Sequence, residues 1–414
     1  MKKHSKLMAL LLSFMFAFSL AGCVVPTESG NGSSSGFLPS EVVIAPGGES
    51  IVTKPVTSSN RHLTAKVEKA GRVTLEKNSE CPADFVLNVE GEEEIKILQI
   101  TDTQMIDPTQ VRLGNGAVSD RYLDRDYVMY DILRYVINAT KPDLILVTGD
   151  YVYGDYDDNG SCFREQTQFF DSMGIYWAPI YGNHDNDSDS EYARWLEEGW
   201  EDWYGRSQCK YFEQAKYCLF RTRAEISGYS NYSIAIKQNG EFIRSIFMLD
   251  THGAHSTIQG IYDQQVKWFK ETNGAINAYA GKTLPNFTAI HVPLYAFNLA
   301  LQQKYGYVEG TTPNIEIPAN ADGDWGFALT NPGGHDKNLA VFNALKNNGT
   351  DAILAGHEHT NNYSILYEGV RLVFGTKSSR YDKYSEDLLG ATLFTVSGGN
   401  FTVSPVYYVD GATA

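Results

Sequence analysis

Five short clusters of polar side chains could bind metal ions or handle phosphate. They supply carboxylate, amide, phenol and imidazole groups, which are donors that transition metals take from proteins. Each cluster alone is weak evidence, because an Asp after a strand commonly caps a helix and an isolated His usually has no such role. Together they are informative, since four of the nine histidines of the chain lie within them. The clusters contain Asp102 with Gln104, Asp150 with Tyr153, Asn183-His184-Asp185, His291, and His357 with His359.

The chemistry that such donors would support is attack on a phosphate ester. The anionic oxygens of an ester repel nucleophiles, and two metal ions about 3.5 to 4 Å apart clamp these oxygens and lower the pKa of a shared water. One carboxylate must then bridge the two ions. Carboxylate, imidazole and amide donors suit iron, manganese or zinc rather than calcium alone.

Each cluster follows a predicted strand. From residue 92 onward, apolar runs alternate with amphipathic stretches, which is the pattern of an α/β fold. Because ligands bind at the carboxyl ends of strands in such sheets, the five clusters are predicted to converge on one site. The predicted strands are 95–100, 144–147, 175–180, 243–249, 287–290, 352–354 and 371–374, and the predicted helices are 124–139, 262–271 and 336–346.

The chain before residue 92 has a different pattern. Short β-prone runs at 41–44, 72–75 and 85–89 are separated by turn-forming residues, which predicts a small β-rich region over 40–91. The larger α/β domain is predicted to cover residues 92–405.

Residues 1–22 have the pattern of an export signal. Lysines precede an almost wholly apolar stretch from Leu7 to Leu20, which is shorter than the roughly 20 residues that span a bilayer. The sequence Leu20-Ala21-Gly22-Cys23 resembles a bacterial lipobox and predicts cleavage before Cys23 with a lipid attached to it; the alternative is an ordinary signal and a chance cysteine. Residues 23–39 are rich in Gly and Ser and predict a flexible linker. We therefore expect an exported protein that a lipid anchors to the membrane of the cell envelope.

The overall charge restricts the partners. The chain has 50 acidic and 34 basic residues, a formal net charge of -16. This balance argues against a nucleic-acid-binding surface, which needs a basic stripe to neutralise phosphates. The expected partner is a small phosphorylated substrate.

Four cysteines remain after Cys23, an even number that fits disulfides in an exported chain. Cys209 and Cys218 flank a short polar stretch and form the pair that we expect to be bridged, while Cys81 and Cys162 lie far away in the sequence.

In their order along the chain, the clusters resemble the calcineurin-like metallophosphoesterases. The pattern of that family is D-x-H, then G-D-x-x-D or a variant, G-N-H-D/E, a lone His, and G-H-x-H. The similarity runs from about residue 94 to near residue 375, and Asp250 with the helix predicted after it is similar to a purple-acid-phosphatase-like branch. The resemblance implies a four-layer α/β/β/α sandwich, two sheets flanked by helices, with a dinuclear metal centre.

The resemblance also implies a role for each matching residue. His184 would bind no metal and would lie next to the phosphoryl group, where it stabilises charge or protonates the leaving alkoxide. Asp185 would orient the His184 imidazole. The reaction would be in-line attack by a hydroxide that bridges the metal ions. The metal-binding residues would be Asp150 as the bridge, Asp102 and His359 at the first ion, and Asn183, His291 and His357 at the second.

Gln104 departs from the family pattern, which usually has His at this position. A neutral amide oxygen is a weaker donor, so the first metal site would bind less tightly or differently. Tyr153, three residues after Asp150, matches the tyrosine that ligates ferric iron in purple acid phosphatases and could compensate. Gln104 and Tyr153 are both candidate ligands, and the alternative for Tyr153 is aromatic packing.

The sequence thus predicts a metal-dependent phosphoesterase that acts on phosphomonoesters. A phosphodiesterase or nucleotide pyrophosphatase with the same centre is the alternative within this chemistry. A non-catalytic cell-surface binding protein is the alternative outside it, suggested by Gln104 and by the aromatic stretch at 192–204.

Overall fold

The structure, a computed structural model, describes most of the chain from residue 71 onward and two short strands before it. The described residues are 42–44, 50–52, 71–106, 126–153, 161–186, 206–253, 259–334 and 337–409. The predicted signal at 1–22, Cys23, the linker at 23–39 and the aromatic stretch at 192–204 lie outside them. Over the described ranges, no helix has the length and apolar content needed to cross a bilayer.

The described strands and helices alternate along much of the chain. The strands are β1 Val42–Ile44, β2 Ser50–Val52, β3 Val73–Leu75, β4 Phe85–Val89, β5 Ile95–Ile100, β6 Leu144–Thr148, β7 Tyr176–Ile180, β8 Tyr232–Gln238, β9 Glu241–Met248, β10 Asn286–Ala289, β11 Ile315–Ile317, β12 Trp325–Ala328, β13 Thr350–Ala355, β14 Asn362–Tyr367, β15 Val370–Phe374, β16 Gly390–Ser397 and β17 Asn400–Tyr407. The helices are α1 Asp126–Thr140, α2 Ser161–Ser172, α3 Arg206–Gln214, α4 Asp263–Ala280, α5 Ala296–Tyr305 and α6 Ala340–Asn347, with a short 3-10 helix at Glu386–Leu388.

Two sheets organise these elements. The larger sheet has ten strands in the order β11-β12-β14-β15-β13-β10-β9-β8-β4-β3, and the smaller has five in the order β17-β16-β5-β6-β7. In the smaller sheet β5, β6 and β7 are parallel, with Ile97 opposite Leu144 and Leu144 opposite Tyr176. These strands are almost wholly buried, which explains why their sequences are nearly continuous apolar runs.

The two sheets pack face to face with helices outside them. The ring of Phe287 in β10 contacts the rings of Phe394 in β16 and Phe401 in β17, with centroids 5.4 and 4.9 Å apart. Helices α1 and α2 pack on the smaller sheet, and α4, α5 and α6 pack on the larger one. The predicted four-layer α/β/β/α sandwich is therefore confirmed.

The predicted β-rich region at 40–91 differs from the structure in its connections. β4 pairs in parallel with β8, with Phe85 opposite Ile234, so β3 and β4 form the edge of the larger sheet and are not a separate β region. The Arg72 guanidinium also binds the buried Asp143 carboxylate just before β6, at 2.8 and 2.9 Å. The sequence shows the β-prone runs but contains no local signal for a partner this distant in the chain. β1 and β2 pair only with each other among the described strands.

The predicted bridge between Cys209 and Cys218 is wrong for this structure, in which neither residue forms a disulfide. The Cys209 side chain is buried on α3 with its Sγ 3.4 Å from the Tyr181 hydroxyl. Cys218 follows α3, and its backbone pairs with that of Trp177 in β7 as a short parallel β-bridge. The proximity of two cysteines in sequence does not fix the direction of their side chains, and here α3 buries one of them among aromatic rings.

Candidate metal centre

The five predicted clusters follow β5, β6, β7, β10 and β13, so both sheets contribute to one site. The chain turns sharply after these strands, and Asp102, Asp150 and His357 have φ values of 54°, 53° and 82°. A side chain in this left-handed region costs on the order of 1 kcal/mol or more, and such residues are concentrated at functional sites. The local strain therefore coincides with the candidate ligands.

Glycines allow these turns to approach one another. A Cβ atom at Gly149 would lie 2.6 Å from His291 Nδ1, and one at Gly356 would lie 2.8 Å from Asp102 Oδ2. Both distances are too short for a real side chain. These two positions thus require glycine if the donors on the two sheets are to meet.

Four side chains form what we call the cradle: Asp150, Asn183, His291 and His357. Asn183 Oδ1 lies 2.8 Å from His357 Nδ1 and 3.1 Å from His291 Nε2, and His291 Nε2 lies 3.2 Å from Asp150 Oδ2. Donor atoms that share one metal at about 2.1 Å are separated by about 3.0 to 3.4 Å. The spacing of these atoms therefore matches that of ligands around a single ion.

The charges in the cradle also favour a cation. His291 Nδ1 is 2.8 Å from the Thr148 carbonyl oxygen, to which it donates, so a neutral His291 directs its Nε2 lone pair at the Asp150 and Asn183 oxygens. Burial lowers the pKa of His291, but the charge of Asp150 outweighs burial and raises this pKa to about 10. Burial raises the pKa of Asp150, yet the imidazoles of His291 and His184 hold it well below its ordinary value. His291 Nε2 and the oxygens of Asp150 and Asn183 all offer lone pairs, and a metal ion bound between them would stabilise this arrangement in place of a proton.

Asp102 and His359 form a second half beside the cradle. Donor atoms of Asp102, Asp150 and His291 all lie within 4.8 Å of one another, which joins the two halves. His359 Nε2 lies 3.6 Å from Asp102 Oδ1, and its Nδ1 lies 3.2 Å from an oxygen of Asp382. A carboxylate on the far nitrogen is the usual way in which a metal-binding His is oriented. The donors of both halves therefore fit metal ions.

The two histidines after β13 point to different halves. As alternate residues of a continued strand they would share one face, but β13 ends at Ala355 and His357 has a left-handed φ. As a result His357 contacts Asn183 of the cradle, while His359 lies near Asp102. Burial and the charge of Lys377 lower the pKa of His359, which keeps this imidazole neutral and able to donate a lone pair.

Gln104 is buried at the Asp102 side of the site. Its Nε2 lies 3.3 Å from Asp150 Oδ2, and its Oε1 accepts a hydrogen bond of 2.8 Å from the ammonium of Lys377. The Gln104 oxygen, which is the atom that would bind a metal, thus accepts a hydrogen bond from Lys377. As a ligand, Gln104 does not fit this arrangement.

His184 lies beside the cradle, with its backbone N–H donating to Asp150 Oδ1 at 3.0 Å. The ring of Tyr153 stacks on the His184 imidazole, with centroids 4.5 Å apart. This stack corresponds to the packing alternative for Tyr153. Ligation of ferric iron by Tyr153 stays a prediction, and its test is a visible phenolate-to-iron absorption band that Tyr153→Phe removes.

Asp185 binds backbone amides of two loops, and its predicted role of orienting His184 stays a prediction. Its carboxylate accepts hydrogen bonds from three backbone amides, those of Gly182, Tyr151 and Val152, at 2.7, 2.9 and 3.2 Å. Asp185 is fully buried, and its carboxylate is the acceptor that the backbone of two converging loops needs there. It fixes the loops that carry Asp150 and Asn183.

Two further residues of the site, Lys377 and Asp382, are not among the candidates predicted from the sequence. Both lie after β15, at the carboxyl end of a predicted strand that was not assigned a cluster. The placement rule that identified the other five clusters could have found them. The residue type gave no indication of Lys377, because lysine is not among the usual metal ligands of such a site.

The family comparison agrees with the geometry. The profile of the calcineurin-like phosphoesterase family matches residues 95–361, which is more than half of the chain and includes every candidate metal ligand. Lys377 and Asp382, which contact ligands, lie beyond its end.

Curated relatives and solved structures are similar to the chain at low identity. "Probable inactive purple acid phosphatase 29" of Arabidopsis thaliana is 26% identical over 68% of this chain and 71% of its own length, and "Probable inactive purple acid phosphatase 14" of the same plant is 23% identical over 67% and 69%. "Phosphatase DCR2" of Saccharomyces cerevisiae is 23% identical over 66% of this chain, which spans only 45% of that protein. A purple acid phosphatase structure from yellow lupin has a TM-score of 0.39 and 12% identity, over 76% of this chain and 52% of its own. By its family profile, and with the donors that meet between its two sheets, this chain belongs to the calcineurin-like phosphoesterases.

Proposed function

We propose that the protein hydrolyses phosphate esters, with phosphomonoesters as the favoured class, at a centre of two metal ions. The observation that carries this proposal is the cradle, in which acceptor atoms of Asp150, Asn183 and His291 face one another at about metal-ligand spacing. Metal ions bound there would polarise the phosphoryl oxygens and supply the hydroxide for in-line attack. Iron, manganese and zinc suit this donor set.

The chain's own residues have separate tasks in this proposal. Asp150 carries the negative charge that both halves share, and the Thr148 carbonyl fixes the tautomer of His291. His184 is held beside Asp150 through its backbone N–H and against Tyr153 through its ring. From this position we propose that its imidazole donates a proton to the leaving alkoxide.

Hydrolysis of phosphodiesters or nucleotide pyrophosphates is supported by the same donors. A non-catalytic binding role is a second candidate, which the pairing of Gln104 with Lys377 favours because it removes an expected ligand. Two of the three curated relatives are also named as probably inactive.

A substrate panel with parallel metal analysis separates these functions. The purified protein is stripped with a chelator, reconstituted with Mn²⁺, Zn²⁺ or iron, and assayed on nitrophenyl monoesters, nitrophenyl diesters and a dinucleotide pyrophosphate. We expect hydrolysis only after reconstitution and fastest on the monoester. A preference for diesters or pyrophosphates would replace the proposed substrate class, and fully metallated protein without any turnover would favour the binding role.

A further inference from the structure

Lys377 is a buried cation next to the predicted first metal. It follows β15, is 2% exposed, and its backbone pairs with Thr101 at the end of β5. Its ammonium donates to the Asp102 backbone carbonyl at 2.9 Å and to Gln104 Oε1 at 2.8 Å. The backbone carbonyl of Lys377 accepts from Gly390, which fixes the segment on its other side.

This contact determines the orientation of the Gln104 amide. An ammonium group donates hydrogen bonds but cannot accept them, so the atom facing Lys377 must be the amide oxygen. The amide nitrogen then faces Asp150 Oδ2 at 3.3 Å. Gln104 therefore presents N–H groups, not a lone pair, to the carboxylate that is proposed to bridge the metals.

The two halves consequently differ in donors and in charge. The cradle offers Asp150, two imidazoles and the Asn183 amide oxygen. Among the described residues, the other half has Asp102, His359 and a shared oxygen of Asp150, while the Tyr153 ring is stacked on His184. The positive charge of Lys377 lies on the side with fewer donors. Both differences act in the same direction, because a cation repels a metal ion and a missing ligand weakens its coordination.

We propose that Lys377 makes the centre asymmetric, so that the cradle binds one metal ion tightly and the half formed by Asp102 and His359 binds the second one weakly. This inference rests on the proposed metal centre, but it concerns binding and not turnover. The chain then holds a single ion at low metal concentration, and the second ion enters only when metal is abundant. Lys377 is a positioning residue, because it acts through its contact with Gln104 and through its charge and does not itself bind the metal.

Titration with Mn²⁺ alone, in the absence of any substrate, tests this inference. Metal-free full-length protein is titrated and monitored by calorimetry and by electron paramagnetic resonance, which distinguishes an isolated Mn²⁺ from a spin-coupled pair. We expect one tight ion with an isolated signal, and a coupled signal only at Mn²⁺ concentrations higher by about tenfold or more. Two ions of equal affinity in the wild type would overturn the proposal.

Variants identify the cause of the asymmetry. Lys377→Met removes the ammonium and is expected to tighten the weak site by about tenfold or more, while Lys377→Arg, which keeps the charge, leaves it weak. Gln104→Glu adds a carboxylate at the same position and is expected to tighten the weak site through the added ligand. Lys377→Leu also removes the ammonium and keeps the test decisive if Lys377→Met fails to fold. Gln303→Glu adds the same charge on the exposed side of α5 and serves as the control, with unchanged binding.

The outcomes separate this inference from the proposed function. An unchanged or weaker second site in folded Lys377→Met or folded Lys377→Leu protein would overturn the role of Lys377. Absence of hydrolysis with asymmetric Mn²⁺ binding intact would contradict the proposed function and leave the inference in place.

Discussion

His291 has contacts within the cradle and behind it at both of its ring nitrogens. Its Nδ1 donates a hydrogen bond to the Thr148 carbonyl oxygen, and its Nε2 faces Asp150 and Asn183. Its pKa is raised by the charge of Asp150, so protons and metal ions compete for the same nitrogen. Metal binding at the cradle is therefore expected to weaken as the pH falls.

His291→Ala is expected to lower metal occupancy of the cradle by about tenfold or more, because it removes a ligand and the imidazole that faces Asp150. Metal content after dialysis against a defined free metal concentration measures this effect. His252→Ala is the matched control, since His252 is also buried but contacts Ser227 Oγ and the Gly260 carbonyl instead. Equal metal loss in both variants would contradict the assignment of His291.

His184→Ala tests the proposed general acid. Alkyl phosphates need a proton on the leaving oxygen and nitrophenyl phosphates do not, so the variant should slow alkyl esters more, by a further factor of about 100. The ratio of kcat values for the two ester classes measures this difference. If both classes slowed equally, His184 would stabilise charge without donating the proton.

At the scale of strands and helices, the hydrophobic pattern of the sequence predicts the positions of individual elements well. The strand predicted at 95–100 is β5 with the same bounds, and the helix predicted at 124–139 is α1 within two residues. The rule that ligands meet at the carboxyl ends of strands brought the five clusters together. Pairing between distant segments was not predictable, because nothing near β4 specifies β8 as its neighbour.

The contacts that individual side chains make also could not be predicted from the sequence. Asp185 is adjacent to His184 in the chain, yet it binds backbone amides on two loops. Gln104 was a candidate ligand until its oxygen was found on Lys377, a residue 273 positions away. Such contacts depend on which segments the tertiary fold brings together, and residue types alone do not contain that information.

Asp324 connects several elements at the edge of the larger sheet. It is fully buried before β12 and accepts hydrogen bonds from the Leu366 amide of β14 and from Arg371 of β15, at 2.7 and 2.8 Å. It also pairs with Lys304 in the last turn of α5. Burial alone would raise the pKa of Asp324, but Lys304 and the Leu366 amide lower it to about 2.

Asp324→Asn is expected to lower the free energy of unfolding by about 2 kcal/mol at pH 7, because it removes the charge of a buried carboxylate that accepts hydrogen bonds from the partly exposed Lys304 and Arg371. The folded-state pKa is below the ordinary value, so the stabilisation is present at neutral pH and is lost as the pH falls from about 5 toward 2. Urea unfolding at pH 7 and pH 3 should show a smaller difference between wild type and variant at pH 3. Asp322→Asn, with a half-exposed side chain near the same Lys304, is the control and should change stability by less than about 0.5 kcal/mol. A pH-independent difference would contradict this account of Asp324.

At the scale of the whole molecule, the described residues form the phosphoesterase fold, and the predicted export signal and anchor precede them. The acidic composition of the chain, with a net charge of -16, does not favour binding to an anionic membrane surface by charge. We therefore propose that the protein associates with the membrane through a covalent lipid on Cys23.

Cys23→Ser should release the protein from membrane fractions or leave the signal uncleaved, because serine offers no thiol for lipid attachment. Fractionation followed by detergent extraction and a measurement of chain mass distinguishes these results. Association with membranes that still requires detergent in the variant would contradict the lipid anchor.

The central claim is that the residues meeting between the two sheets hydrolyse phosphate esters with the help of metal ions. The most direct measurement is the rate of nitrophenyl phosphate hydrolysis by wild type and Asp150→Asn, with metal content and thermal unfolding measured on the same samples. We predict turnover by the metallated wild type and a loss of more than about 100-fold in a folded variant, because the shared carboxylate charge is removed. A variant that is fully metallated and as fast as the wild type would contradict the claim, as would a fully metallated wild type without activity on any ester.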